Sequence, residues 1–169
     1  MLAVVLPGRE FPVTRPALAA VATTVGEHGY DVRPVAWTLD GLPDDPDGFV
    51  LDRLAEAAPD GCDLLVAKSL GTRAAPYAAD RALPAVWVTP LLRDATVLDA
   101  IRANPAPQLL VCGGDDPLHD PAAVETLSCD VLELPGADHA LSPSGDGVVP
   151  AGLLTEIADA TDVFLRRLR

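Results

Sequence analysis

The sequence predicts an α/β fold: a mostly parallel sheet with helices on both faces. Three observations carry this expectation. Short aliphatic runs recur along the chain, beginning with Leu2-Ala3-Val4-Val5-Leu6, and their unbroken apolar character fits strands buried on both faces. Segments with apolar residues at helical spacing lie between these runs. Glycine- and proline-rich breaks separate the two kinds. Strands separated by helices favour a parallel sheet, and strand twist makes the crossovers right-handed.

In order, Leu2–Leu6 reads as the first strand and ends at Pro7-Gly8. Residues 16–29 place Leu18, Val21 and Val25 on one helical face, with Gly26 and Gly29 toward the end. Residues 31–37 read as a second strand, followed by a loop rich in Pro, Asp and Gly over 40–48. A helix is expected over 49–58 from Val50, Leu51 and Leu54, then a strand over 62–67 and an alanine-rich helix over 70–79. Ala85–Val88 is a further strand, and 92–103 a helix with Ala95, Leu98 and Ile101 spaced for burial. Residues 108–112 and 130–134 read as strands. A terminal helix over 152–169 offers Leu153, Ile157, Val163 and Leu165 to the core. No internal repeat, low-complexity tract or long linker interrupts the pattern, so 1–169 reads as one domain.

Bulk composition narrows the function. The 169 residues are 49% hydrophobic and 22% charged, a globular composition. No apolar run is long enough to span a bilayer. Met1 leads into the first strand without a basic segment, which reads as no signal peptide. A net charge of −13 repels phosphate backbones and anionic lipid, so neither nucleic acid nor membrane is expected as a partner. The three cysteines show no metal-ligand spacing; Cys62 and Cys112 sit in apolar runs as buried thiols, and a reducing cytoplasm is the expected compartment. No metal or cofactor is expected, and oligomeric state stays open.

The chemistry concentrates at three strand ends. The stretch Leu64-Leu65-Val66-Ala67-Lys68-Ser69-Leu70-Gly71-Thr72 runs an aliphatic strand into small-x-Ser-x-Gly and then a helix. A sharp strand-to-helix turn crowds the positions two before and two after its tip, so both must be small, as Ala67 and Gly71 are. Ser69 at the tip would project its hydroxyl above the sheet, beside free N–H groups of the helix start. The alternative is that Ser69 only caps that helix.

Further on, Leu109-Leu110-Val111-Cys112-Gly113-Gly114-Asp115-Asp116-Pro117 ends a strand in acids on a loop, and Asp116 is preferred to Asp115 as the inward one. A turn or capping role is its alternative. After Val131-Leu132-Glu133-Leu134-Pro135-Gly136-Ala137-Asp138 comes His139, the one histidine on a loop directly beyond a late strand. His28 reads as a helix C-cap and His119 as a solvated loop residue. Ser69, Asp116 and His139 thus follow one another in the order nucleophile, acid, base.

These residues resemble the α/β-hydrolase superfamily, in particular its small lidless members related to dienelactone hydrolase. The matching pieces are Ala67-Lys68-Ser69-Leu70-Gly71, Gly113-Gly114-Asp115-Asp116-Pro117 and Gly136-Ala137-Asp138-His139. The resemblance implies a minimal three-layer core without a cap domain. It also implies Ser69 as nucleophile, Asp116 as acid and His139 as base, and an oxyanion hole from the backbone N–H groups of Leu70 and Arg9. Pro7-Gly8 stands where members commonly carry His-Gly, and the chain opens at the strand that is third in fuller members. The function so implied is a serine hydrolase for an ester, thioester or lactone of a small molecule; the alternative is a silent hydrolase fold that only binds. Lys68 and Arg73 flank the nucleophile, where they would either attract an anionic acyl group or point to solvent, and solvent is the expectation for both.

Overall fold

The computed structural model describes residues 1–168. Arg169, the last residue of the expected terminal helix, lies outside the described residues. Six strands, β1 (Leu2–Leu6), β2 (Asp31–Pro34), β3 (Leu64–Lys68), β4 (Ala85–Val88), β5 (Gln108–Gly113) and β6 (Asp130–Leu134), form one sheet among the described residues. Its order is β2-β1-β3-β4-β5-β6 and every pairing is parallel. The helices are α1 (Pro16–Glu27), α2 (Pro46–Ala57), α3 (Ala75–Asp80), α4 (Ala95–Ala103), α5 (Pro121–Val124) and α6 (Ala151–Arg166). No helix among the described residues is long and apolar enough to cross a membrane.

The period-two geometry of a strand splits the aliphatic runs into two cores. Ala3, Val5, Leu64, Val66, Val86, Val88, Leu109 and Val111 face one side, where α1 and α6 cover them with Leu18, Val21, Ile157 and Phe164. Val4, Leu6, Leu65, Ala67, Trp87, Leu110 and Cys112 face the other, beneath Val50 and Leu54 of α2, Ala78 of α3, and Val97 and Ile101 of α4. Trp87 anchors this second core, fully buried, with its indole N–H donating to Gln108 Oε1 at 2.8 Å. Loss of such a ring costs about 3–5 kcal/mol.

Element boundaries differ from the expectation where local chemistry intervenes. α2 begins at Pro46 because the Asp45 carboxylate accepts from Gly48 N at 2.9 Å and Pro46 pre-sets the first helical φ. α4 begins at Ala95, not 92, because Asp94 Oδ1 accepts from Thr96 N and Val97 N. The expected helix over 70–79 is a 3₁₀ turn, Ser69–Ala74, followed by the short α3. Pro76 has no N–H for the Thr72 carbonyl, and the Ala75 N–H takes that carbonyl instead. β2 stops at Pro34, where an edge strand tolerates proline, and Val35 N adds one last bond to Val5 O. α5 was not foreseen; Asp120 caps it through Ala123 N.

Candidate active site

Ser69 follows β3 directly and adopts φ 48°, a left-handed conformation that non-glycine residues avoid. Holding it there costs about 1–3 kcal/mol, borne by the packing around the turn. The crowding is explicit at Gly71: a Cβ there would sit 2.8 Å from Leu6 Cβ and 2.9 Å from the Leu6 and Pro7 carbonyl oxygens. Ala67 is fully buried on the other side of the tip. The Thr72 hydroxyl donates to the Ser69 carbonyl at 2.6 Å and closes the turn.

Asp116 stands beyond β5 and is buried, whereas Asp115 is exposed. Its Oδ1 accepts from Leu118 N at 2.8 Å, and its Oδ2 lies 2.7 Å from His139 Nδ1. Burial alone would raise this carboxyl. The His139 hydrogen bond, the Leu118 N–H and the nearby His139 and Lys68 charges outweigh it and hold the group below the usual carboxylate range. A carboxylate at Nδ1 selects the tautomer with its proton there. The Nε2 lone pair is then free to accept from Ser69 Oγ, 2.8 Å away.

His139 comes from the far side of the sheet, and its loop crosses back over β5. Gly113 makes the crossing possible: a Cβ there would overlap the Ala137 and Asp138 carbonyl oxygens. Asp115 N donates to Ala137 O at 2.9 Å and Gly114 N to Leu134 O at 2.9 Å, fixing the loop on the strand end. The Asp138 carboxylate accepts from Ala140 N and Ser142 N, tightening the turn that presents the imidazole.

Lys68 does not point to solvent. It continues the Leu64, Val66 face of β3 and is 1% exposed. Its Nζ donates to Thr89 Oγ1 at 2.5 Å and to the His139 carbonyl at 2.8 Å, and lies 4.4 Å from the Phe11 ring centre. Burial brings the amine down to about 7, against the opposing pull of Asp116 and Asp138. The two-residue period of the strand was the signal that could have predicted this. Arg73 is likewise committed, its Nη1 to Asp47 at 2.5 Å and its Nη2 to Asp94 at 2.8 Å. His119 is not solvated either: it is buried, with Nε2 3.0 Å from Glu133 Oε2. His28 caps α1 as expected and also meets Asp162 Oδ1 at 2.8 Å. Of the cysteines, Cys112 is buried and Cys62 only half-buried.

Arg9, on the loop after β1, and Leu70, second residue of the 3₁₀ turn, line the same cavity as Ser69 and His139. The Leu70 N–H belongs to a first helical turn, whose donors have no partner within the helix. The cavity holds about 600 Å³, with Phe11, Leu42, Leu91 and Leu118 as its apolar walls. That is the size and character of a small-molecule site. Only residues 89–94 join β4 to α4, so no cap covers the cavity there, and the His139 side chain is 32% exposed.

The sheet, its helical layers and this strand–turn–helix define the α/β-hydrolase fold in its lidless form. No protein-family model and no curated protein matches the sequence. Solved structures do. An α/β serine hydrolase homologue from Coxiella burnetii aligns over 100% of this chain and 85% of its own, at 18% identity and TM-score 0.69. An α/β serine hydrolase without lid from Xanthomonas campestris aligns over 99% and 81%, at 20% identity and TM-score 0.70. Est1E from Butyrivibrio proteoclasticus aligns over 98% and 87%, at 14% identity and TM-score 0.74.

Proposed function

We propose that this chain is a serine hydrolase that cleaves an ester-like bond (ester, thioester or lactone) in a small molecule through an acyl-enzyme. The observation that carries the reading is the continuous hydrogen-bonded line Ser69 Oγ, His139 Nε2, His139 Nδ1, Asp116 Oδ2, at 2.8 and 2.7 Å, opening on a cavity. The fold shared with serine hydrolases and with Est1E supports it.

Ser69 attacks the acyl carbon as His139 takes its proton. The tetrahedral oxyanion is held by the Leu70 and Arg9 N–H groups, each worth about 3–4 kcal/mol in such sites. His139 then protonates the leaving oxygen or sulfur. Water, activated by the same imidazole, attacks the acyl-enzyme, releases the acid and restores Ser69. Asp116 stays ionised and orients the ring throughout. The reducing environment suggested by three free cysteines among the described residues favours a cytoplasmic setting.

The test is fluorophosphonate labelling with hydrolysis of short-chain p-nitrophenyl esters. Wild type should label and turn over, and Ser69→Ala should do neither. Wild-type protein that folds yet does neither would leave a binding role as the reading; labelling that survives Ser69→Ala would move the nucleophile elsewhere.

A further inference from the structure

We infer that Trp37 is a positioning residue for the oxyanion hole, fixing the peptide plane that carries the Arg9 N–H. The inference rests on the serine-hydrolase reading above. Its basis is a hydrogen bond that joins two loops distant in the chain. The Trp37 indole N–H, on the loop after β2, donates to the Gly8 carbonyl, on the loop after β1, at 3.0 Å.

A trans peptide is planar, and its C=O and N–H point in opposite directions. All peptide bonds among the described residues are trans. Fixing the Gly8 oxygen therefore fixes the direction of the Arg9 N–H. The sheet order is the ground on which that direction is inferred. β1 lies between β2 and β3. Trp37 approaches from the β2 flank, and Ser69 stands at the end of β3. A carbonyl drawn toward Trp37 turns the Arg9 N–H the other way, toward Ser69. Gly8 itself abuts the nucleophile: a Cβ on it would lie 3.5 Å from Ser69 Cβ.

The anchor is itself held. The Trp37 ring packs edge-on against Phe49 of α2, ring centres 5.4 Å apart. Within the loop, Gly8 N donates to Phe11 O at 3.1 Å, which fixes the preceding peptide but leaves the Gly8 carbonyl for the indole. Without the indole N–H the Gly8–Arg9 peptide is free to rotate, and the second donor spends less time aimed at the oxyanion.

The test uses the full chain with p-nitrophenyl esters and a boronic acid transition-state analogue. Two replacements remove the donor: Trp37→Phe, and β-(3-benzothienyl)alanine at position 37, which keeps the ring shape and replaces N–H by sulfur. Both should lower kcat about 10- to 100-fold, less than or equal to the loss from deleting an oxyanion donor outright. KM should change little, and boronate affinity should weaken in step with kcat/KM. A merely structural role would lower thermal stability without that split. Either replacement leaving kcat and boronate affinity within about twofold of wild type, while wild type turns over, overturns this inference alone. Wild type without labelling or turnover overturns the serine-hydrolase reading and this inference with it. Should Trp37→Phe fail to fold, the benzothienyl protein decides the question.

Discussion

Replacing Lys68 by methionine should change how stability depends on pH, in a direction the structure dictates. The side chain is 1% exposed, so solvent does little to screen its charge. Burial lowers its amine from the ordinary 10.5 to about 7. In the unfolded chain the amine keeps its ordinary value. Between pH 7 and pH 10.5 the unfolded chain therefore binds a proton that the folded chain lacks, and stability rises with pH across that window. Below pH 7 both states carry the proton and the full penalty, about 5 kcal/mol, is expressed. From pH 7 to pH 9 the relief amounts to about 2 kcal/mol. Lys68→Met has no such group, and the other titrating residues are common to both proteins. Urea unfolding of the two at pH 7 and pH 9 isolates the effect as a difference of differences. Wild type should gain about 2 kcal/mol on the variant over that interval. A flat difference, or a loss, would refute the reasoning, because it would mean that Asp116, Asp138 and the hydrogen-bonded oxygens compensate the buried ammonium in full.

Three further outcomes follow from the same contacts. Gly113→Ala should cost about 1–3 kcal/mol in urea unfolding and lower ester turnover more than tenfold, since the new Cβ overlaps the Ala137 and Asp138 carbonyls and displaces the loop that carries His139. Asp116→Asn should lower kcat by about 10⁴ in steady-state assays, because the neutral amide no longer selects the tautomer whose Nε2 accepts from Ser69. Arg73→Met leaves the Asp47 and Asp94 carboxylates without their shared cation, and thermal or urea unfolding should show a loss of about 1–3 kcal/mol.

The layered α/β architecture was legible because aliphatic runs such as Leu64-Leu65-Val66 admit few structures other than a strand covered on both faces. The strand-end positions of Ser69, Asp116 and His139 were legible for a related reason: loops beyond parallel strands collect on one side of the sheet. Boundaries were less so. The break at Pro76 and the caps at Asp45 and Asp94 depend on single hydrogen bonds, which periodicity does not register. Lys68 was misread because charge suggested solvent, whereas strand register placed it with Val66. His119 was misread on the same ground; a polar loop sequence did not reveal Glu133 opposite it. The Trp37 bond was invisible, since nothing in residues 8 and 37 announces that β2 and β1 are neighbours.

That β3 and β6 are not neighbours matters more. β4 and β5 lie between them, so the strands that carry Ser69 and His139 are three spacings apart, about 14 Å. No histidine side chain spans that distance, and the loop after β6 must travel back across the sheet. Each stage of the return has its own residue. Gly113 lets the backbone lie on the end of β5, Asp115 N ties Ala137 there, and Lys68, reaching up from β3, takes the His139 carbonyl. Thr89, at the end of the intervening β4 and itself at φ 42°, accepts from the same ammonium. The 2.8 Å hydrogen bond between His139 and Ser69 is thus the last link of a backbone path. A bulky residue at 113, or an apolar one at 68, would leave Ser69, Asp116 and His139 in the sequence and still hold them apart.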